Sequence, residues 1–140
     1  MRCGEARLPM RHRVLVVDDD RLVADTLRMV FAANGFESEA CYSAAEGFRV
    51  AKSFSPELML CDVTMPGEDG LKLAARIFDE LPECQLLMLT AYLSKSATEE
   101  LEALRRRRPI RLLNKPCPPE VLLEEALDLL RPGSAISAAS

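Results

Sequence analysis

Val14-Leu15-Val16-Val17 runs straight into Asp18-Asp19-Asp20, and this short stretch decides the fold. A continuous β-branched-rich run suits a strand buried on both faces, as in a parallel sheet covered by helices. The three carboxylates end it abruptly. A helical pattern follows, with Leu22, Val23, Leu27, Val30 and Phe31 on roughly one face and Asn34-Gly35 as its stop. Asp20 reads as a helix cap or an exposed charge.

The same alternation repeats along the chain. Phe36 to Cys41 reads as a second strand. Ser43-Ala44-Ala45-Glu46 has the spacing of a capping box for a helix to about Phe54, broken by Ser55-Pro56. Leu58-Met59-Leu60-Cys61 is a third strand ending in Asp62, and Thr64 to Gly70 is a loop rich in turn residues. A helix from Leu71 to about Leu81 carries Leu73, Ala74 and Ile77 on one face, and Pro82 ends it. Leu86 to Leu89 forms a fourth strand ending in Thr90, and Ser94 or Ser96 caps a helix reaching Arg108. Ile110 to Asn114 is the fifth strand, followed by Lys115-Pro116. The last helix opens near Pro119 and shows a stripe of Leu122, Ala126, Leu129 and Leu130. Five strands alternating with five helices imply an α/β fold with a parallel sheet and helices on both faces.

Length and composition agree. The 140 residues, 49% hydrophobic and 29% charged with a net charge of -4, suit one folded domain and exclude a disordered chain. Apolar runs are too short for a membrane-spanning helix, and the acidic balance argues against direct nucleic-acid binding. The five cysteines form no C-x-x-C pair, and His12 is the only histidine, so a mixed-ligand zinc site is not expected. The odd cysteine count and the absence of an apolar leader segment in residues 1–12 point to reduced thiols and a cytoplasmic setting. We expect residues 1–12 to be an extension, 13–131 the domain, and 132–140 a tail or linker stub.

In an open α/β sheet, ligands sit beyond the carboxyl ends of the strands. Here those ends carry Asp18 and Asp19, Asp62, Thr90 and Lys115. Carboxylates packed together repel unless a cation joins them, and a hard ion such as Mg2+ takes oxygen ligands. A hydroxyl and an ammonium complete a pocket for a phosphoryl group, and an aspartyl-phosphate is chemically sensible. Any one strand-end Asp or Thr is commonly just a helix cap; five such groups together are not.

The fragments Val16-Val17-Asp18-Asp19, Cys61-Asp62-Val63-Thr64-Met65-Pro66-Gly67-Glu68-Asp69-Gly70, Leu89-Thr90-Ala91 and Asn114-Lys115-Pro116 resemble the receiver domain of bacterial two-component response regulators. The resemblance covers about Arg13 to Arg131. It implies a doubly wound, flavodoxin-like sheet of strand order 2-1-3-4-5, and phosphotransfer from a histidine kinase or a histidine phosphotransfer protein. It also implies Asp62 as phosphoacceptor, Asp19 as direct Mg2+ ligand, Asp18 acting largely through water, and the Thr64 carbonyl as third protein ligand. Thr90 would hydrogen-bond the phosphoryl group and move toward it, and Lys115 would pair with a phosphoryl oxygen across a cis Lys115-Pro116 bond. Pro66 and Gly70 would shape the loop, and Tyr92 would shield the phosphoryl group from water.

Three departures bear on the switch. Leu112 stands where the family usually has Tyr or Phe, so the usual inward swing of a ring cannot operate in its ordinary form. Cys117 and Pro118 imply altered packing at the last helix. Arg105-Arg106-Arg107-Arg108 occupies the place of a small turn and is expected to be a solvated helix end, in preference to a docking patch for an acidic partner or nucleic acid. The implied output is a partner or a homodimer through the face of the fourth helix, fifth strand and fifth helix. A non-switching module of the same fold is the alternative. A metal-dependent phosphatase would need D-x-D, and Thr64 follows Asp62 instead. A flavin binder is disfavoured, with no Trp and two Tyr for stacking.

Overall fold

A computed structural model describes residues 11–65 and 69–131. It contains five strands, β1 (Arg13–Val17), β2 (Glu37–Cys41), β3 (Leu58–Asp62), β4 (Gln85–Thr90) and β5 (Arg111–Asn114). Between and after them run α1 (Arg21–Ala33), α2 (Ala44–Phe54), α3 (Gly70–Glu80), α4 (Lys95–Arg107) and α5 (Pro119–Leu130). All neighbouring strands pair in parallel, in the order β2-β1-β3-β4-β5. This is the doubly wound sheet that the alternation and the resemblance together implied.

Period-two alternation sorts the strand residues onto two faces. Leu15 and Val17, Met59 and Cys61, and Leu86 and Met88 face one core, completed by α2, α3 and α4. Val14 and Val16, Leu58 and Leu60, and Leu87 and Leu89 face the other, completed by α1 and α5. The three central strands are therefore apolar on both sides. At the edge, β2 alternates exposed Glu37 and Glu39 with half-buried Ser38 and Ala40.

Caps fix most of the helix starts. Asp20 accepts from the Leu22 and Val23 amides, Asp69 from Lys72, and Ser94, not Ser96, from Ala97. The capping box at Ser43 forms with a variation: Ser43 accepts from Glu46, but the Glu46 carboxylate reaches the amide of Tyr42, one residue earlier than usual. Pro118 provides no side-chain cap for α5, whose Pro119 sits in the first turn. Gly35 takes φ +92 after α1, which glycine adopts without Cβ strain.

Two expectations need correction. Leu22 does not share the buried face of α1: its side chain is 76% exposed, because Ala24, Leu27 and Phe31 form the stripe against the sheet. Two residues of helix rotate Leu22 about 200° away from Ala24. The arginine run is only partly a solvated end. Arg105 and Arg106 are exposed, but Arg107 pairs with Asp79 at 2.6 Å. Arg108 lays its guanidinium over Phe78, 4.5 Å from the ring centre, and donates to the Cys84 carbonyl at 2.6 Å. Both tie the end of α4 to α3 and the start of β4. Pro66, the residues before 11 and those after 131 lie outside the described residues.

Candidate functional site

Sheet register brings the site together. Val17 pairs with Cys61, so Asp18 and Asp62 emerge side by side; Asp62 pairs with Leu89, and Thr90 with Asn114. Backbone bonds hold these ends beyond the ladder: the Val63 amide donates to the Leu89 carbonyl at 2.9 Å, and the Lys115 amide to the Thr90 carbonyl at 2.8 Å. The Lys115-Pro116 bond is cis. Behind Asp62, the Gly70 amide donates to the Val63 carbonyl at 2.8 Å. A Cβ on Gly70 would fall 2.1 Å from the Asp62 carbonyl oxygen, so α3 begins pressed against the backbone of the site.

The side chains form one charged cluster. Asp18 is 2% exposed, whereas Asp19 is open to solvent. One oxygen from each of Asp18, Asp19 and Asp62 lies within 4.8 Å of the others. Lys115 Nζ donates to Asp62 Oδ2 at 2.9 Å and lies 3.3 Å from Asp18 Oδ2. Asp62 Oδ1 accepts from the Thr64 amide at 3.2 Å, and Asp18 Oδ1 from the Asp20 amide at 2.9 Å.

Burial raises the Asp18 carboxyl above its ordinary pKa, and the charge of Asp62 adds to this against the pull of the Asp20 amide and Lys115. Burial works to lower Lys115, but the hydrogen bond and charge of Asp62, then of Asp18, hold it above its usual value. Three hard oxygen donors clustered within 4.8 Å of one another, one of them destabilised as an anion, suit a small divalent cation of the Mg2+ type. One ammonium leaves that cluster anionic.

A cleft of about 280 Å³ opens over Asp62, lined by Thr64, Ala91, Tyr92 and Lys115. Thr90 stands behind it, 4% exposed, with its hydroxyl engaged locally: Oγ1 donates to the Tyr92 carbonyl at 3.0 Å and accepts from the Tyr92 amide at 3.2 Å. The residue pattern did not disclose this engagement; a buried threonine hydroxyl at a strand end is the one signal for such a local partner. A second group also went unread. Tyr42 donates to Asp25 at 2.6 Å under the Arg21 guanidinium, 4.1 Å from its ring centre, and joins α1 to the end of β2. Leu112 is half-buried against the core beneath α4.

Three of the described cysteines are buried thiols in surroundings that disfavour the thiolate. Cys41 and Cys84 are buried thiols pushed up to about 12 by burial, and burial raises Cys61 as well.

A family model described as the response regulator receiver domain matches residues 14–127. Curated relatives include Response regulator MprA of Mycobacterium ulcerans (strain Agy99), 35% identical over 82 residues, which are 59% of this chain and 35% of that protein. Response regulator MprA of Mycobacterium tuberculosis (strain ATCC 25618 / H37Rv) is also 35% identical over 82 residues, 36% of its length. The chain thus spans little more than a third of these relatives. Among solved structures, a CheY-like response regulator receiver domain protein from Methanospirillum hungatei JF-1 matches with TM-score 0.77 and 25% identity, over 84% of this chain and 92% of that one. Chemotaxis protein CheY4 of Vibrio cholerae matches with TM-score 0.75 and 25% identity, over 86% of this chain and 100% of that one.

Proposed function

From the premise that this chain belongs to the response regulator receiver domain family, we propose that it relays a signal by accepting a phosphoryl group on Asp62. The donor is a phosphohistidine of a histidine kinase or histidine phosphotransfer protein. The observation that carries this reading is the pairing of Lys115 with Asp62 beside Asp18 and Asp19, under an open cleft of about 280 Å³.

Asp18, Asp19, Asp62 and the Thr64 carbonyl would hold Mg2+. When bound, the ion neutralises the carboxylates and draws charge from the phosphoryl oxygens. An Asp62 carboxylate oxygen attacks phosphorus as the P–N bond to the donor imidazole breaks, and the imidazole leaves with the bonding pair. Lys115, already on Asp62 Oδ2, follows the charge to a phosphoryl oxygen. Thr90 must release the Tyr92 carbonyl to donate to the phosphoryl group, so phosphorylation of Asp62 pulls on the segment from Ala91 to the Ser94 cap of α4. With Leu112 in place of an aromatic ring, that segment and the start of α4 carry the change, and the face of α4, β5 and α5 passes it to a partner or a second copy.

Residues 13–131 form the receiver, a signalling domain rather than a turnover enzyme. Among the described residues no helix is long and apolar enough to cross a membrane. A cytoplasmic site of action follows from the proposed kinase partnership. The second reading, a module that no longer switches, draws on Leu112.

Acetyl phosphate or phosphoramidate tests the proposal. Mg2+-dependent labelling that disappears in Asp62→Asn is expected, and labelling that persists in that variant removes Asp62 from the role. Partner affinity that is equal with and without a phosphoryl mimic would favour the silent module.

A further inference from the structure

The strands run in parallel, so the end of α4 and the start of β5 lie at the sheet edge opposite the aspartates. There a cleft of about 610 Å³ is lined by Arg105, Arg106, Arg107, Arg108 and Arg111 over Ile110. That volume lies within the roughly 300–1,000 Å³ of small-ligand sites.

Intramolecular bonds do not use up this charge. Arg107 pairs with Asp79, and Arg111 with Glu125 and Asp128, so three carboxylates face five guanidiniums. Among the described residues no carboxylate pairs with Arg105, Arg106 or Arg108. Arg108 lies over Phe78 and donates to a backbone carbonyl, with its Nη1 buried and without an acceptor, so the free charge is chiefly that of Arg105 and Arg106. The helix dipole favours cations in the last turn of α4, but it acts on that turn alone and does not call for a fifth arginine from β5.

We propose that this cleft binds a compact oligophosphate, either free or as the phosphate tail of a nucleotide. Guanidinium forks match phosphate oxygens two at a time, and closely spaced cations are best met by an anion with several charges on a few atoms. A carboxylate peptide spreads its charge over a longer chain. A duplex needs a basic stripe, and the whole chain carries a net charge of -4. The site is separate from the phosphorylation cleft, and its occupant needs no covalent step.

The test is calorimetric titration of the full chain with inorganic tripolyphosphate and, separately, ATP, in EDTA at low salt. One-site binding is expected, weakened at least about tenfold in Arg105→Gln/Arg106→Gln and weakened further by salt. Arg105→Lys/Arg106→Lys keeps the charge without the forks and should recover only part of the affinity. Preference between the two ligands tells free oligophosphate from a nucleotide. Arginine Nε–H resonances of residues 105 and 106 should move on binding. No binding at millimolar ligand, binding undiminished in the Gln pair, or tighter binding of a polyglutamate peptide or a DNA duplex would each overturn the proposal.

Discussion

Replacing Gly70 by Ala perturbs the site without touching a charged group. The added methyl would sit 2.1 Å from the Asp62 carbonyl oxygen, 3.0 Å from its carbonyl carbon and 3.1 Å from Cys61 Sγ. A carbon and a carbonyl oxygen normally approach no closer than about 3.3 Å, so the backbone must yield by about 1 Å. The nearest atoms are backbone of β3, held in the ladder to β4, and cannot rotate away. Overpacking of this kind costs about 1–3 kcal/mol, and a clash with fixed backbone belongs at the upper end. At roughly 3–4 °C per kcal/mol for a chain of this size, a cost of about 2–3 kcal/mol lowers Tm by roughly 6–12 °C. The displacement also moves Asp62 relative to Lys115, so phosphorylation by acetyl phosphate should slow in the fraction that remains folded. Two other glycines serve as controls. At Gly47 a Cβ meets only the side chains of Val17 and Leu73, at 3.0 Å or more, and the helix gains propensity; at Gly35 it meets nothing, and only the φ of +92 is strained. Urea unfolding and labelling rates on the three Ala variants should therefore single out Gly70. Equal stability of Gly70→Ala and Gly47→Ala, with an unchanged labelling rate, would refute the close-packing argument.

Further outcomes follow from the same contacts. Because folding raises the Asp18 pKa, the folded state binds that proton more readily than the unfolded chain; the corresponding stability is full below the ordinary carboxylate range and is lost as pH rises through the raised value. Urea unfolding in EDTA should show this loss in the wild type and a flatter profile in Asp18→Asn, and identical profiles would contradict the burial argument. Arg108→Ala, which strips the guanidinium from Phe78 and the Cys84 carbonyl, should cost about 1–2 kcal/mol, while exposed Arg106→Ala stays within about 0.5 kcal/mol in the same assay. Tyr92, 76% exposed at the rim of the cleft, should shield the acyl phosphate: Tyr92→Ala is expected to shorten its lifetime in a decay assay, and an unchanged lifetime would remove that role.

Legibility followed the periodicity of burial. The central strands could be read because both their faces are apolar, and the candidate cluster could be read because β1, β3, β4 and β5 end in or beside Asp18, Asp62, Thr90 and Lys115. Leu22 was misplaced because an apolar residue in a first helical turn matches the stripe by type while standing on another side of it. The arginine run could be read in part: Arg105, Arg106 and Arg107 are exposed at the end of α4, but charge alone gives no sign that the flat guanidinium of Arg108 stacks on Phe78, far away in sequence. The tie between Thr90 and the Tyr92 backbone left no mark beyond the strand-end threonine itself. Such contacts depend on loop conformation rather than pattern.

The central claim is that Asp62 is the acceptor. After treatment with acetyl phosphate and Mg2+, peptide mapping by mass spectrometry of the trapped acyl phosphate should place the modification on Asp62 alone. A modification on Asp18 or Asp19, or a chain that stays unmodified in excess Mg2+, would contradict the account.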